Sequence, residues 1–377
     1  MSSGGERAIG DACRACGAGE LDLVLDLGEM PAADHFPLPS EPISGDSRHR
    51  LAMLLCGRCG LAQLAPDTTT VAEPRGLEPR ALREQAAEAV ARVAIDGRLR
   101  GRTVREFGSP HGGTWLPLLA SRGFSATEIS GGPADIVIDS FGMMHEPDQR
   151  AAAAARAAAT APGGVLLLQF HSLRAILAYG QWNALRHGHF AYYSLPALRI
   201  LLAQAGLHLA TAWEFELYGG TVLVAAVPAP ADPRRYPATP DDRALRLLDA
   251  ESGLGTPRAL AALQSAADEQ TSALRAWLES EAALRHRVYA YGAASRAVAL
   301  FARAGLHPGL LRGVADASPA KQGRRMPGTG IPIITPAELV AAQPDRVLLT
   351  LPDLLPEVQA GLPALSDTWV VEIPRPP

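Results

Sequence analysis

The sequence predicts an α/β chain in three parts: a small metal-bound β-module, a central α/β domain, and a second α/β domain after a linker. Three observations predict it. All four cysteines fall in two Cys-x-x-Cys pairs near the N-terminus. The order strand, Gly-rich turn, helix occurs twice, starting at Thr103 and again at Val288. A Pro-rich stretch over 227 to 241 lies between these two units.

The chain has 377 residues, enough for two or three domains. It is 47% hydrophobic but only 5% aromatic, so its cores are built mainly from Ala, Leu and Val. A net charge of -4 argues against a nucleic-acid binder held by phosphate contacts. No apolar run reaches the ~20 residues that span a bilayer, and the first residues lack an apolar signal core. The expectation is a soluble cytoplasmic protein, a monomer or small homo-oligomer, with no nucleic-acid or membrane partner.

The first part, 1 to 65, holds the knuckles Cys13-Arg14-Ala15-Cys16-Gly17 and Cys56-Gly57-Arg58-Cys59-Gly60. A tight turn with Gly lets both thiolates of a knuckle face one ion, and two knuckles fill the tetrahedral shell of Zn²⁺. No ligand position stays open, so the zinc is structural. A redox Cys-x-x-Cys usually occurs singly, and disulfides are rare in a reducing compartment. Between the knuckles, Leu21 to Gly28 alternates as a strand does.

The second part, 66 to 230, opens with a polar loop and a helix through Arg80 to Val90, whose apolar positions recur at helical spacing. Thr103 to Phe107 reads as a strand, Gly108 to Gly113 as a Gly-rich turn, and Trp115 to Ala120 as a helix. That order opens a nucleotide-binding unit of Rossmann type, in which backbone amides and a helix N-terminus approach a ligand. Strands follow at 125–129 and 134–139, with Glu128 where a ribose-binding carboxylate would sit. An Ala-rich helix (149–160) leads to Val165 to Phe170, a continuous apolar run typical of a buried parallel strand. A helix (195–205) and strands at 209–216 and 221–226 complete the domain.

The third part begins with the linker and a long amphipathic helix (231 to 286). A second Rossmann-like unit (287 to 377) then carries strands at 288–291, 311–316, 346–350 and 369–373 and a helix to 304.

With these residues in place, the order of parts resembles the zinc-containing sugar C-methyltransferases, which act on nucleotide-linked deoxysugars in antibiotic pathways. Leu23 to Pro31 looks like the family's opening; Met144-His145-Glu146-Pro147-Asp148 and Ala161 to Val165 resemble its later strands. The most specific match is Tyr291-Gly292-Ala293 with Asp316 to Gly323 and Pro327 to Ile333. The resemblance runs nearly end to end. It implies an S-adenosylmethionine-dependent methyltransferase with a small-molecule acceptor of the nucleotide-sugar kind, in natural-product biosynthesis.

The resemblance also assigns residues. Glu106, Gly108, Gly112, Glu128, Asp139 and His145 fall at cofactor positions. Tyr291, Gly292 and Lys321 fall on the substrate side, Lys321 as a point charge suited to a diphosphate. The family's catalytic Tyr-x-Glu-His stretch corresponds to Arg186-His187-Gly188-His189. His189 is the candidate base for removing a carbon-bound proton, with His187, Tyr192 or Tyr218 as donor to the enolate oxygen.

Four departures stand out. The cofactor turn holds Pro110-His111 where the family has an acid. Only residues 129–134 separate Glu128 from Asp135; at ~3.3 Å per residue they reach ~20 Å, enough for a loop but not for the family's helix and strand. Residues 60 to 100 contain no tyrosine. The catalytic stretch has lost its tyrosine and glutamate, and a later family histidine is Tyr218. Two alternatives therefore stay open: a scaffold repurposed as an isomerase, cyclase or dehydratase, and a non-catalytic homologue.

Overall fold

The computed structural model describes residues 12–33, 35–69, 78–108, 112–128, 131–229 and 239–372. Parts of the cofactor turn (Ser109, Pro110, His111), of the short 129–134 segment and of the linker lie outside these residues.

The N-terminal module is an antiparallel sheet of β1 (Leu21–Pro31), β2 (Arg48–Cys56) and β3 (Ala62–Leu64). Strand β1 is longer than the alternation predicts and bends at two irregularities in its pairing with β2. The central domain runs α1 (Arg80–Ile95), β4 (Thr103–Phe107), α2 (Leu116–Ala120), β5 (Ser125–Ala126), β6 (Ala134–Ser140), α3 (Gln149–Ala159), β7 (Thr160–His171), α4 (Leu173–Ala178), β8 (Ala191–Tyr192), α5 (Leu195–Gln204), β9 (Leu207–Phe215) and β10 (Thr221–Pro228). Its six-stranded sheet has the order β5-β4-β6-β7-β10-β9. The first four strands are parallel, and β10 inserts antiparallel between β7 and β9.

Local chemistry sets these elements. Asp148 caps α3 by accepting the Ala151 amide at 3.0 Å. Small Ala152, Ala153 and Ala159 then let α3 lie close on the sheet. Residues 165–171 of β7 are all buried, because helices cover both faces of a central parallel strand.

Strand β8 belongs to the other sheet. It pairs antiparallel with β3 of the zinc module, Ala62 opposite Tyr192 and Gln63 opposite Ala191. The stretch that carries His189 is therefore held by the module. The strand expected over 125–129 is only Ser125–Ala126, because the chain turns at once into the short segment before β6.

After the linker come α6 (Asp242–Ala250), α7 (Pro257–Leu260) and α8 (Ala262–Ala283), so the long helix expected over 257 to 286 is interrupted near Ala261. The last unit comprises β11 (Val288–Tyr291), α9 (Ser295–Arg303), β12 (Val314–Ala315), β13 (Ile333–Ile334), α10 (Pro336–Ala341), β14 (Arg346–Leu349), α11 (Leu355–Gly361) and β15 (Trp369–Val370). Its sheet is wholly parallel, in the order β13-β12-β11-β14-β15. Strands β12 and β15 are shorter than the apolar runs that predict them.

The three parts pack on one another. Buried Asp46 of the module takes both guanidinium nitrogens of Arg325 at 2.6 Å and the Gly328 amide at 2.7 Å. A Cβ on Gly328 would lie 2.3 Å from Pro31. The Pro-Gly-Thr-Gly part of the C-terminal signature thus docks the last unit on the module. Among the described residues no helix is long and apolar enough to cross a membrane.

Candidate functional site

The four cysteine sulfurs lie within 4.8 Å of one another. Cys13 and Cys59 are 3.5 Å apart, Cys16 and Cys56 3.6 Å. A tetrahedral zinc with Zn–S of ~2.3 Å sets S···S edges of about 3.8 Å, so the quartet fits the ion. Packed this closely, the thiols compete for one negative charge. The hydrogen bond with Cys59 pushes Cys13 down to about 5 and pushes Cys59 up. A divalent cation lets all four ionise. Cys13, Cys56 and Cys59 are buried in the core that also holds Met143, Met144 and Tyr193, so this metal site is continuous with the central domain.

A cavity of about 750 Å³ lies between the central domain and the C-terminal unit. It opens at the carboxyl ends of β6 and β7, beside the switch point between β4 and β6, where open α/β sheets bind ligands. Phe141 and Met144 line it after β6, and His171 at the end of β7. Arg186, His189 and Tyr218 line it from the central domain; Tyr291, Gly292, Ser295, Arg296, Asp316 and Lys321 line it from the last unit.

Two wall residues have positive φ without being glycine: Phe141 at 63° and Tyr218 at 57°. Such conformations cost free energy and concentrate at functional sites. Their rings meet edge to face at 6.4 Å. The turn Tyr218-Gly219-Gly220 allows this, since a Cβ on Gly220 would lie 2.5 Å from Ala175. Burial pushes the Tyr218 phenol up to about 12, so it is a neutral donor.

His189 is buried in the wall, its ring 4.8 Å from both His145 and Tyr192, edge on. The Phe190 amide donates to the Met144 carbonyl at 2.8 Å, and Leu64 of β3 donates to the Phe190 carbonyl at 3.2 Å. The Gly188 amide donates to Asp67 at 2.8 Å. These bonds fix the histidine between the two sheets.

Four of the residues expected at the site are placed elsewhere. Tyr192 is fully buried; its hydroxyl accepts from the Arg186 amide and donates to the Ala184 carbonyl, so its one proton is committed and it cannot donate to a substrate. His187 is buried against His49 behind the wall. Asp139 is fully buried and is consumed by Arg156 at 2.8 Å and by the amides of Gly142 and Met143. His145 stands behind His189 and is not part of the cavity wall.

Glu106 closes its own turn, accepting from Thr114 and, at 2.7 Å, from the Trp115 amide; burial raises its pKa. Glu128 is exposed at the end of β5. Arg105 closes the short segment after it by donating to the carbonyls of Glu128, Gly131 and Gly132 at 2.6–2.8 Å. Lys321 reaches the wall while its ammonium donates to the Ala293 carbonyl at 2.9 Å and lies 4.9 Å from the Phe36 ring centroid. Gly292, at φ 97°, has no room for a Cβ beside Thr350.

Sequence reasoning missed His171, Phe141, Arg105 and Arg296. His171 read as a strand end. Only the Tyr-Gly-Gly triplet hinted at the strained wall.

Comparison with known proteins agrees with this layout. A zinc binding domain matches residues 13–70, a methyltransferase domain 79–212 and a C-methyltransferase C-terminal domain 216–374. Together the three matches run from residue 13 to residue 374, in the order zinc module, methyltransferase domain and C-methyltransferase C-terminal domain. C-methyltransferase NovU of Streptomyces niveus is 26% identical over 410 residues, covering 97% of this chain and 96% of that one. Among solved structures, an O-methyltransferase family protein from Burkholderia thailandensis is 17% identical and covers 39% of this chain and 60% of its own, at a TM-score of 0.28. The magnesium protoporphyrin IX methyltransferase of Synechocystis PCC 6803 is 16% identical, covering 39% and 83%, at 0.29. By its methyltransferase and C-methyltransferase domain matches the protein is a methyltransferase.

Proposed function

We propose that the chain is an S-adenosylmethionine-dependent C-methyltransferase whose acceptor is a nucleotide-linked keto-deoxysugar or a related natural-product intermediate, with His189 as base. The observation that carries this reading is the position of His189. It is the histidine kept from the family's catalytic stretch, and it lines the cavity shared by the two α/β units.

The residues present fit the cofactor. Gly108 at the end of β4 faces open space, where a Cβ would meet no atom within 4 Å. Glu128 presents an exposed carboxylate to the same end of the sheet, suited to a ribose diol. When bound there, S-adenosylmethionine supplies an electrophilic methyl group. His189 takes the proton from the carbon beside the acceptor's carbonyl. Tyr218, neutral and held at the wall, donates to the oxygen on which negative charge develops. Lys321, Tyr291 and Gly292 hold the far end of the acceptor. The three-domain match disfavours the repurposed and non-catalytic alternatives.

Calorimetry on the zinc-loaded chain tests the reading. S-adenosylmethionine binds, and His189→Ala abolishes turnover while leaving that affinity intact. Absence of binding at millimolar ligand would overturn it.

A further inference from the structure

Two glutamines sit where the pattern of the chain calls for apolar side chains. Gln85 falls on the buried face of α1 with Leu82, Ala86 and Ala89, and Gln169 interrupts the apolar run of β7 between Leu168 and Phe170. Both are buried, as are Ser140 at the end of β6 and Thr221 at the start of β10. The four side chains form one hydrogen-bonded chain. The Ser140 hydroxyl donates to Gln169 at 3.0 Å, the Gln169 amide donates to Gln85 at 3.0 Å, and the Gln85 amide donates to the Thr221 hydroxyl at 2.6 Å.

Apolar side chains of the same shape would give such a core as much stability, and a half-satisfied polar chain is costly. What hydrogen bonds add is direction, since each fixes an orientation that apolar contact leaves loose. The two ends of the chain show what is oriented. Ser140 precedes Phe141, whose amide donates to the backbone carbonyl of Gln169 at 3.0 Å. Thr221 follows the Tyr218-Gly219-Gly220 turn, against which α1 packs. Phe141 and Tyr218 are the two wall residues held at positive φ, a region that costs a bulky residue free energy unless its surroundings enforce it. The last unit also grips the turn, through Asp353, which accepts the amides of Tyr218 and Gly219.

We infer that Gln85 and Gln169 are positioning residues: with Ser140 and Thr221 they brace Phe141 and the Tyr218 turn from within the central domain and so fix the Tyr218 ring in the cavity wall. Helix α1 extends the brace to the rest of the cavity. Its start, at Pro79 and Arg83, lines the same space, and Glu357 of the last unit accepts the amides of Arg80 and Ala81. The donor role of Tyr218 rests on the function proposed above; the bracing of its turn does not.

The test is carbon-13 NMR on the zinc-loaded full chain, labelled at the ring Cζ of its seven tyrosines, with Tyr218→Phe assigning the resonance. Thr221→Val removes one hydroxyl at nearly constant shape and cuts the tie to the turn. Gln85→Met removes the middle of the chain at constant length. In both variants the Tyr218 resonance is expected to shift, and its titration to move from about 12 toward the ordinary 10 as water reaches the phenol. Tyr192, whose hydroxyl bonds backbone groups of Arg186 and Ala184, is the internal control and should not move. With an acceptor that the wild type methylates, both variants should lose about 10- to 100-fold in kcat, the cost of misplacing a reacting group, while S-adenosylmethionine binds as in wild type. If the Tyr218 resonance and titration stay at their wild-type positions in both variants, whatever the urea midpoint, the network serves stability alone and the inference is overturned. The NMR measurement needs no acceptor. A shifted Tyr218 with unchanged kcat would therefore remove Tyr218 from the proposed reaction and leave the bracing standing.

Discussion

The guanidinium of Arg14 lies 4.7 Å from the centroid of the Phe190 ring. Arg14 sits inside the first zinc knuckle, and Phe190 follows His189, so one contact ties the metal to the proposed base. Arg14 is buried and also donates to the carbonyls of Pro147 at 2.9 Å and Leu64 at 3.4 Å, while its amide reaches Gln63 at 2.9 Å. The module is therefore the support on which strand β8 is laid.

Removing the metal should then act on the catalytic stretch. The intact chain is expected to release one zinc when its thiols are modified. In chelated protein, amide protection at 188–192 should fall while the parallel sheet of the last unit keeps its protection. Arg14→Ala should cost about 2–4 kcal/mol, since it strips a buried cation and leaves two carbonyls unpaired. Unchanged exchange at 188–192 after chelation would refute the coupling.

Arg105 pins the chain on both sides of the short link between β5 and β6. Its single fan of bonds satisfies the carbonyls of Glu128, Gly131 and Gly132. Arg105→Met is expected to destabilise the chain by about 1–2 kcal/mol in urea unfolding, because three carbonyls at the surface lose their donor and turn to water. S-adenosylmethionine should bind more weakly to this variant, since Glu128 is positioned by the same bonds. Equal affinity would detach Glu128 from the cofactor.

The cysteine quartet was legible because ligand spacing is local and no other cysteine competes. The helices were legible from apolar periodicity and Ala-rich runs. Strand β8 was not: it spans two residues and pairs with Ala62 and Gln63, far away in sequence. Asp139 resembled a ligand because its partner, Arg156, is a helix residue identifiable only once α3 is packed.

The wall residues separate by substitution. His189→Ala should lower kcat by roughly 10²- to 10⁴-fold, the range for loss of a general base. Tyr218→Phe should lower kcat with little change in cofactor affinity, as expected of a donor used only when charge develops. Tyr192→Phe should instead cost about 1 kcal/mol of stability and leave kcat near wild type, because its hydroxyl serves only the backbone. A Tyr192→Phe variant with intact stability and lost turnover would return that residue to the site.

His171 gives the molecule an acid-side weakness. Burial is the largest cause holding its pKa at about 3; the charges of Arg296 and Arg186 act in the same direction, opposed by Gln181 and the backbone of Tyr218. The folded value is thus depressed below the ordinary 6.5. Between those two values the unfolded chain binds a proton that the folded chain refuses, so stability is lost as pH falls below 6.5 and the loss grows until about 3. At pH 5 the penalty is about 2 kcal/mol. Urea unfolding at pH 7.5 and pH 5 measures it: the wild type should lose about 2 kcal/mol more than His171→Gln over that interval. Equal losses in the two proteins would show that His171 takes up its proton in the folded state, and that the cationic wall around it is more open to water than the buried geometry implies.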